Sequence, residues 1–424
     1  MEVKPILLYR RYEDYNRIKS LGISIVHSYS EFMSSACTKF WYYKYFKCYQ
    51  EKGFKKSLVY GSLFHLVVEN IIVDVSRFDP EISTSQTFLD ILKDKANELE
   101  EEFYNKCDGN YEIMALEEEI ESCKERILNV IDGWFDLWMK NIHSRFNIVA
   151  VEKELIKPIF QEDGTQYTTS VVVQTLYDEE NSDIVMIQSD DAFSGENTVI
   201  MNVPVYKIGK ADVILQEKST GDLYILDHKT SGSPNMYKSK LKFDMQLQSY
   251  ANLLRYEIEE GSMTEFKGCN IAGFIWDISH SKTPSPPKLL ASGKLSTAKR
   301  AAPYWQYKKS IIQNNLNLEE YETHLEYLMT EAYKYVQMHE APCSMDQIIQ
   351  SAQEDLIYAD RINSMRERLQ RVSDVAHTSS IVARYPQCQS YNSCQFSAPC
   401  LANTPYNVIL NEQAPMFSWL VKND

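Results

Sequence analysis

Glycine and proline are scarce, 14 of each among 424 residues, which excludes collagen-like and proline-rich low-complexity chains. No window reaches about 18 uninterrupted apolar residues, so no membrane span is expected. The opening MEVKPILLYRRYEDY carries charge where a secretory leader needs a continuous apolar run, which predicts a cytoplasmic protein. Cation is also in short supply: 44 Lys and Arg against 59 Asp and Glu leave a net charge of −15. Taken globally, that excess of acid speaks against binding to phosphate backbones. No GxxxxGK[ST] loop occurs, so ATP-driven unwinding would need another chain.

What remains is a composition of 44% hydrophobic and 24% charged residues, within the globular range and long enough for one large domain or two to three ordinary ones. Nine Cys, with no export signal, argue for reduced thiols or metal ligands rather than a disulfide framework. The acidity is uneven. Acid crowds ELEEEF and LEEEIES, whereas Ile278 to Leu318 holds no Asp or Glu but does hold Lys282, Lys288, Lys294, Lys299, Arg300, Lys308 and Lys309.

The periodicity predicts an α/β protein in three segments. Residues 28 to 78 and 86 to 146 read as helices, giving an N-terminal helical region over 1 to 146. The pattern then turns strand-like in NIVAVEKELIKPIF and VPVYKIGKADVILQE, so a sheet-centred segment is expected over 147 to 290. Within it, 161 to 200 reads as an inserted hairpin or loop. STGD is a turn, DLYILDHKT a short buried strand, FDMQLQSYANLLRYEIEE a helix and NIAGFIWDIS a strand. Residues 291 to 424 should contain a basic loop, further helices over 319 to 378 and a cysteine-bearing tail.

If IGKADVILQE and DLYILDHKT pair about the midpoint of Ser219 and Thr220, opposed residues have numbers summing to 439, and Asp212 faces Asp227. Their Cβ atoms would lie about 5 Å apart, close enough to share one hard divalent cation. Lys229, opposite Lys210, falls on the same strand face as Asp227. Two carboxylates in an apolar setting are costly unless a cation compensates them. An ion such as Mg²⁺ could activate water there, with Lys229 offsetting developing charge. A structural ion pair of Asp212 with Lys210 or Lys229 is the simpler alternative.

Two further patterns carry chemistry. Cys388, Cys394 and Cys400 are each separated by five residues, and Cys37 stands far upstream. Four thiolates suit Zn²⁺ or an iron–sulfur cluster, or they are unrelated buried thiols. The acid-free stretch places Tyr304, Trp305 and Tyr307 among Lys294, Lys299 and Arg300. Cations for phosphates with rings for bases would make a single-strand platform, a plain flexible insertion being the alternative. The segment from Lys39 to Lys56 is a second such candidate.

GKADVI, ILDHKT and QLQSY together resemble the PD-(D/E)XK nuclease superfamily, and within it the RecB/AddB-like branch. The resemblance implies a restriction-endonuclease-like core, a mixed sheet flanked by helices. Asp212, Asp227 and Lys229 would be catalytic, with Gln246 and Tyr250 as the QxxxY pair. YGSLFHLVVEN resembles the GxxxH helix, which makes His65 a metal ligand beside Asp212, Asp227 and the carbonyl of His228. Glu69 would share the face of His65, and Glu152 stands where that family is often acidic. The cysteine layout is similar to that of AddB nuclease domains and CRISPR-associated RecB-like exonucleases, which implies a [4Fe-4S] staple on Cys37, Cys388, Cys394 and Cys400; the first gap of the C-terminal trio is five residues here instead of two. The implied activity is Mg²⁺- or Mn²⁺-dependent hydrolysis of DNA, by an exonuclease acting on single strands or ends, with a helicase or recombination protein as partner. The competing expectations are a catalytically silent DNA-binding module of the same fold, and a zinc-stapled nuclease acting on RNA.

Overall fold

The computed structural model describes residues 24–370, apart from 47–48, 52, 105, 108, 179–182, 188–197, 236–243, 283–284, 299–301 and 331–333, together with 394, 396 and 408–410. The N-terminal part contains β1 (Ile25–Ser28), α1 (Tyr29–Ser34), α2 (Thr38–Trp41) running into a π-helical turn (Tyr42–Phe46), and β2 (Tyr49–Glu51). Three long helices follow: α3 (Lys56–Val73), α4 (Gln86–Tyr104) and α5 (Asn110–Trp138). Then come β3 (Phe146–Pro158), β4 (Thr168–Asp178), β5 (Asp183–Ile187), β6 (Thr198–Glu217), β7 (Leu223–Ser231), α6 (Met245–Glu259) and β8 (Ile271–His280). The remainder comprises α7 (Tyr304–Gln313), α8 (Glu322–Thr330), β9 (Val336–Pro342), α9 (Met345–Gln370) and β10 (Val408–Leu410).

Eight strands form one mixed sheet in the order β5-β4-β6-β7-β8-β9, with β1 and β3 also paired to β6. The β7–β8 and β1–β6 pairs are parallel and the rest antiparallel. Both faces of the central strands are covered, which explains their near-continuous apolar runs. Val213 and Leu215 of β6, with Tyr224 and Leu226 of β7, face one cluster with α3 and α5. The alternate residues Ile214, Leu223 and Ile225, joined by Ala211, face another with α6.

Helix α3 is apolar enough, with a hydropathy of 1.3 over 18 residues, to pass for a membrane span by composition. Burial accounts for that. A pair of residues on each turn, Val59 and Tyr60, Leu63 and Phe64, Val67 and Val68, Ile71 and Ile72, lies at 0 to 1% exposure. The flanking stripe Gly61, His65 and Glu69 is half-buried.

Three expectations need correction. The helical stretch at 28 to 78 includes β2, and that at 319 to 378 includes β9, which pairs antiparallel with β8. The insert at 161 to 200 does contain the expected hairpin, β4 paired antiparallel with β5, and β4 also pairs with the start of β6 to extend the main sheet. That sheet draws β1, β3 to β8, and β9 from the three expected segments respectively, so boundaries at 146 and 290 do not divide it.

Candidate active site

The β6–β7 ladder runs from Gln216↔Leu223 to Val213↔Leu226, each pair summing to 439 as expected. The turn between them uses Gly221 at φ 79°, a left-handed conformation that glycine adopts without steric cost. One residue beyond the last rung stand Asp212 and Asp227. There the ladder stops, and the His228 N–H donates to Asp212 Oδ2 at 2.7 Å. On the other side of β6, the pairs Val151↔Val213 and Lys153↔Ala211 put Glu152 opposite Asp212. Glu152 has φ 50°, a backbone state costing a non-glycine residue on the order of 1–3 kcal/mol. Three carboxylates thus stand in a row across β3, β6 and β7.

Helix α3 crosses this row one turn at a time. Gly61 lets it approach β7: a Cβ at that position would lie 3.1 Å from Thr230 Oγ1. One turn on, His65 Nε2 is 2.9 Å from the His228 carbonyl and 3.6 Å from Asp212 Oδ2, while Nδ1 lies 3.7 Å from Glu69. A carboxylate on the far nitrogen fixes the tautomer and orientation of a metal-ligating imidazole. His65, Glu69 and Glu152 together offer ligand atoms within 4.8 Å of one another.

From the other face comes α6, capped by Asp244, whose carboxylate accepts from the N–H groups of Gln246 and Leu247. Gln246 and Tyr250, one turn apart, meet at 2.9 Å, the amide donating to the phenol oxygen. Gly209 makes room for the ring, since a Cβ there would come within 2.8 Å of it. The Lys229 ammonium ion-pairs with Asp227 at 2.5 Å and donates to Gln246 Oε1 at 3.4 Å. Lys210 does not face Lys229; it pairs with Glu152 at 2.7 Å.

Carboxylates outnumber permanent cations here, and their proton affinities are shifted accordingly. Burial, with Asp212 adding to it, pushes Asp227 up to about 6 against the opposing pull of Lys229. Burial and the neighbouring Glu69 push Glu152 up to about 7. For His65, burial opposes the charged form, but Glu69, Asp212 and the His228 carbonyl outweigh it and raise the imidazole to about 9. Burial also opposes charge on Lys229, and Asp227 more than offsets it, so its ammonium is raised.

A family model of the PD-(D/E)XK nuclease superfamily matches residues 32–400. The chain belongs to that superfamily. No individual curated protein matches it. As a member it is a metal-dependent nuclease, of a kind that uses ions such as Mg²⁺ or Mn²⁺. The donor set fits such an ion: two carboxylates and a main-chain carbonyl are hard oxygen ligands, and an imidazole nitrogen completes the group. Asp212, Asp227, the His228 carbonyl and His65 would hold it.

The His228 side chain points to the α3 and α5 face of the sheet, away from the Asp227 and Lys229 side chains. Its ring lies 5.4 Å from that of His65, and Nδ1 meets Asp277 Oδ2 at 2.7 Å. Asp277 was not singled out from sequence. Its only signal was an acid inside the apolar run GFIWDIS.

The stacking platform expected around Tyr304 and Trp305 is corrected. Trp305 is 9% exposed, and its ring fills a slot over Gly133 of α5 while the indole N–H donates to the Asn129 carbonyl. Tyr304 packs partly buried against the same core, and Tyr307 is 1% exposed. Lys294 pairs with Glu320 at 2.9 Å. Lys308 and Lys309 line a cavity of about 200 Å³ that also contains Glu81, Asp132 and Asp136. Lys299 and Arg300 lie outside the described residues. Of the four cysteines, Cys388 and Cys400 also lie outside them. Cys37 is the N-cap of α2, and Cys394 packs against the buried cluster that includes Tyr43, Phe46 and Phe396. Phe396 lies 5.2 Å from Phe40 and 5.7 Å from Tyr43, ring to ring, so this part of the tail meets the segment that Cys37 begins.

Proposed function

We propose that the chain is a Mg²⁺- or Mn²⁺-dependent deoxyribonuclease of the RecB/AddB-like kind, an exonuclease trimming single strands or DNA ends with a helicase or recombination protein as partner. The observation that carries this reading is the opposition of Asp212 and Asp227 beneath His65, with Lys229 on the same face. When bound, the ion supplies a water acidic enough to attack at neutral pH and polarises the scissile phosphoryl oxygen. Lys229, held between Asp227 and Gln246, is placed to offset charge developing on the phosphoryl group. Tyr250 keeps the Gln246 amide turned so that its oxygen faces the ammonium.

The test is incubation of end-labelled single- and double-stranded DNA with Mg²⁺ or Mn²⁺, wild type beside Asp212→Ala and Lys229→Ala. Metal-dependent shortening from the labelled ends, lost in both variants, is the expected result. Cleavage that persists in the variants would overturn the assignment.

The same proposal places Cys37, Cys388, Cys394 and Cys400 around a [4Fe-4S] cluster that ties the tail to α2. The ring contacts of Phe396 with Phe40 and Tyr43 support that placement, and metal binding confined to the folded state would add to stability. Anaerobically purified protein should be brown and iron-replete. A colourless, zinc-replete sample would replace the cluster with Zn²⁺.

A further inference from the structure

His228 contributes both of its main-chain groups to the site. Its N–H donates to Asp212 Oδ2 at 2.7 Å, and its carbonyl meets His65 Nε2 at 2.9 Å. In a continued antiparallel ladder both of these would be bonded to β6, but the β6–β7 ladder ends at Val213↔Leu226. On that side, the peptide that sets the distance between two metal-ligating side chains has therefore lost its rung. Something else must hold it.

The His228 imidazole, on the α3 and α5 side of the sheet and 5.4 Å from the His65 ring, is placed to do so. His228 is 1% exposed, and its Nδ1 meets Asp277 Oδ2 at 2.7 Å. The two residues are register partners in the parallel β7–β8 pair. Asp277 is 0% exposed, and the same oxygen accepts from the Trp134 indole N–H of α5 at 2.7 Å. Trp134 and Trp138 stack 5.4 Å apart, and both rings lie within 6.4 Å of the imidazole. A carboxylate inside an aromatic core is expensive to bury, and apolar residues would fill the same layer more stably. Two polar atoms here, Asp277 Oδ1 and His228 Nε2, are buried without a hydrogen-bond partner. The trio is thus an unfavourable core element lying directly behind the metal ligands.

We propose that Asp277 is a positioning residue for the divalent ion: through His228 it fixes the peptide that spaces Asp212 from His65, with Trp134 orienting its carboxylate. This rests on the metal-site reading above. Partners one layer behind a metal site commonly change affinity by about 10–100-fold when removed. The effect should fall on metal affinity, because Asp277 touches neither substrate nor ion.

The experiment is direct Mn²⁺ binding to the full-length protein, followed by the loss of the free-ion electron paramagnetic resonance signal and compared with metal-free melting. The variants are Asp277→Asn, Trp134→Phe and, as reference, Asp212→Ala. The expected result is an increase of about 10–100-fold in the Mn²⁺ dissociation constant for Asp277→Asn and a smaller one in the same direction for Trp134→Phe. Cleavage at saturating Mn²⁺ should stay within a few-fold of wild type. Mn²⁺ affinity equal to wild type in a folded Asp277→Asn, whatever its melting point, would overturn the proposal and leave the nuclease reading intact. Should Asp277→Asn not fold, unchanged affinity in Trp134→Phe would overturn it equally. Wild type binding no Mn²⁺ at this site, or Asp212→Ala binding as tightly as wild type, would instead bring down the metal-site reading and this proposal with it.

Discussion

Toward one end of the stretch of β6 that pairs with β3, Lys207 and Asp355 neutralise each other at 1% and 3% exposure, and Asn252 bridges Asp355 to Lys157. Nearby, Glu31 is held by His27 at 2.9 Å, by the Trp41 indole at 3.0 Å and by Arg366 at 3.6 Å. A few residues further along β6, Glu69, Glu152, Asp212 and Asp227 share Lys210, Lys229 and His65. Burial opposes ionisation in both places. At Glu31 the partners win and its carboxyl is lowered, while burial leaves Asp355 raised. In the carboxylate row Glu69 is lowered but Asp227 and Glu152 are left raised to about 6 and about 7. The regions differ in that only the row has more carboxylates than lysines to pair them. Buried charge that is internally balanced holds a fold together. Buried carboxylates that outnumber their cations suit a divalent ion, and the two regions should respond to mutation in opposite ways.

The largest effect should come from Asp212→Asn or Asp227→Asn. On the proposed reading each removes a ligand of an ion that supplies several kcal/mol of charge stabilisation, so cleavage should drop about 1,000-fold or more, as read from initial rates on end-labelled DNA. In the balanced region, Asp355→Ala strands a buried Lys207 and should cost about 3–5 kcal/mol in denaturant unfolding, while surviving folded protein keeps its metal requirement. A smaller loss, about 10-fold in turnover, is expected of Gln246→Ala, because Lys229 then lacks one of its two partners. If Asp355→Ala altered the metal requirement and left stability alone, the comparison would be broken.

The comparison can also be sharpened by pH. Asp227 holds its proton to about 6 in the native state, against about 4 for an unfolded aspartate. Between those values the native state binds more protons, so this group makes metal-free stability fall as pH rises. An incoming ion must displace that proton, and below about 9 the proton on His65 as well. Mn²⁺ affinity should therefore climb through pH 6 and continue upward toward 9, measured by titration at pH 5.5, 7 and 8.5. A flat profile would mean that Asp227 and His65 do not ligate the ion.

Much of the site was legible because its signals are local. The STGD turn and the alternation on either side of it set the register that opposes Asp212 and Asp227. The four-residue spacings of Gly61, His65 and Glu69, and of Gln246 and Tyr250, placed each set on one helix face. The failures have a common physical cause in long-range packing. Trp305 among lysines reads as a stacking ring, but its fate is decided by Gly133, a glycine on another helix whose missing side chain leaves a slot. The His228–Asp277 pair depends on a parallel register with a strand more than forty residues away, which local periodicity does not reveal. Strand β9, seven residues of mixed polarity between helices, pairs among the described residues only with β8. The backbone twist at Glu152, which brings its carboxylate toward Glu69 and Lys210, leaves no mark in composition.

The central claim, that the carboxylate row is unfavourable alone and completed by a divalent ion, is tested most directly by melting wild type and Asp227→Asn at pH 7.5 with and without Mn²⁺. The account predicts a crossover: without metal the variant melts a few degrees higher than wild type, because a buried charge has been removed, and with Mn²⁺ wild type overtakes it. A variant that melts lower than wild type without metal, and by the same margin with it, would show that Asp227 is a structural ion-pair partner of Lys229 and contradict the claim.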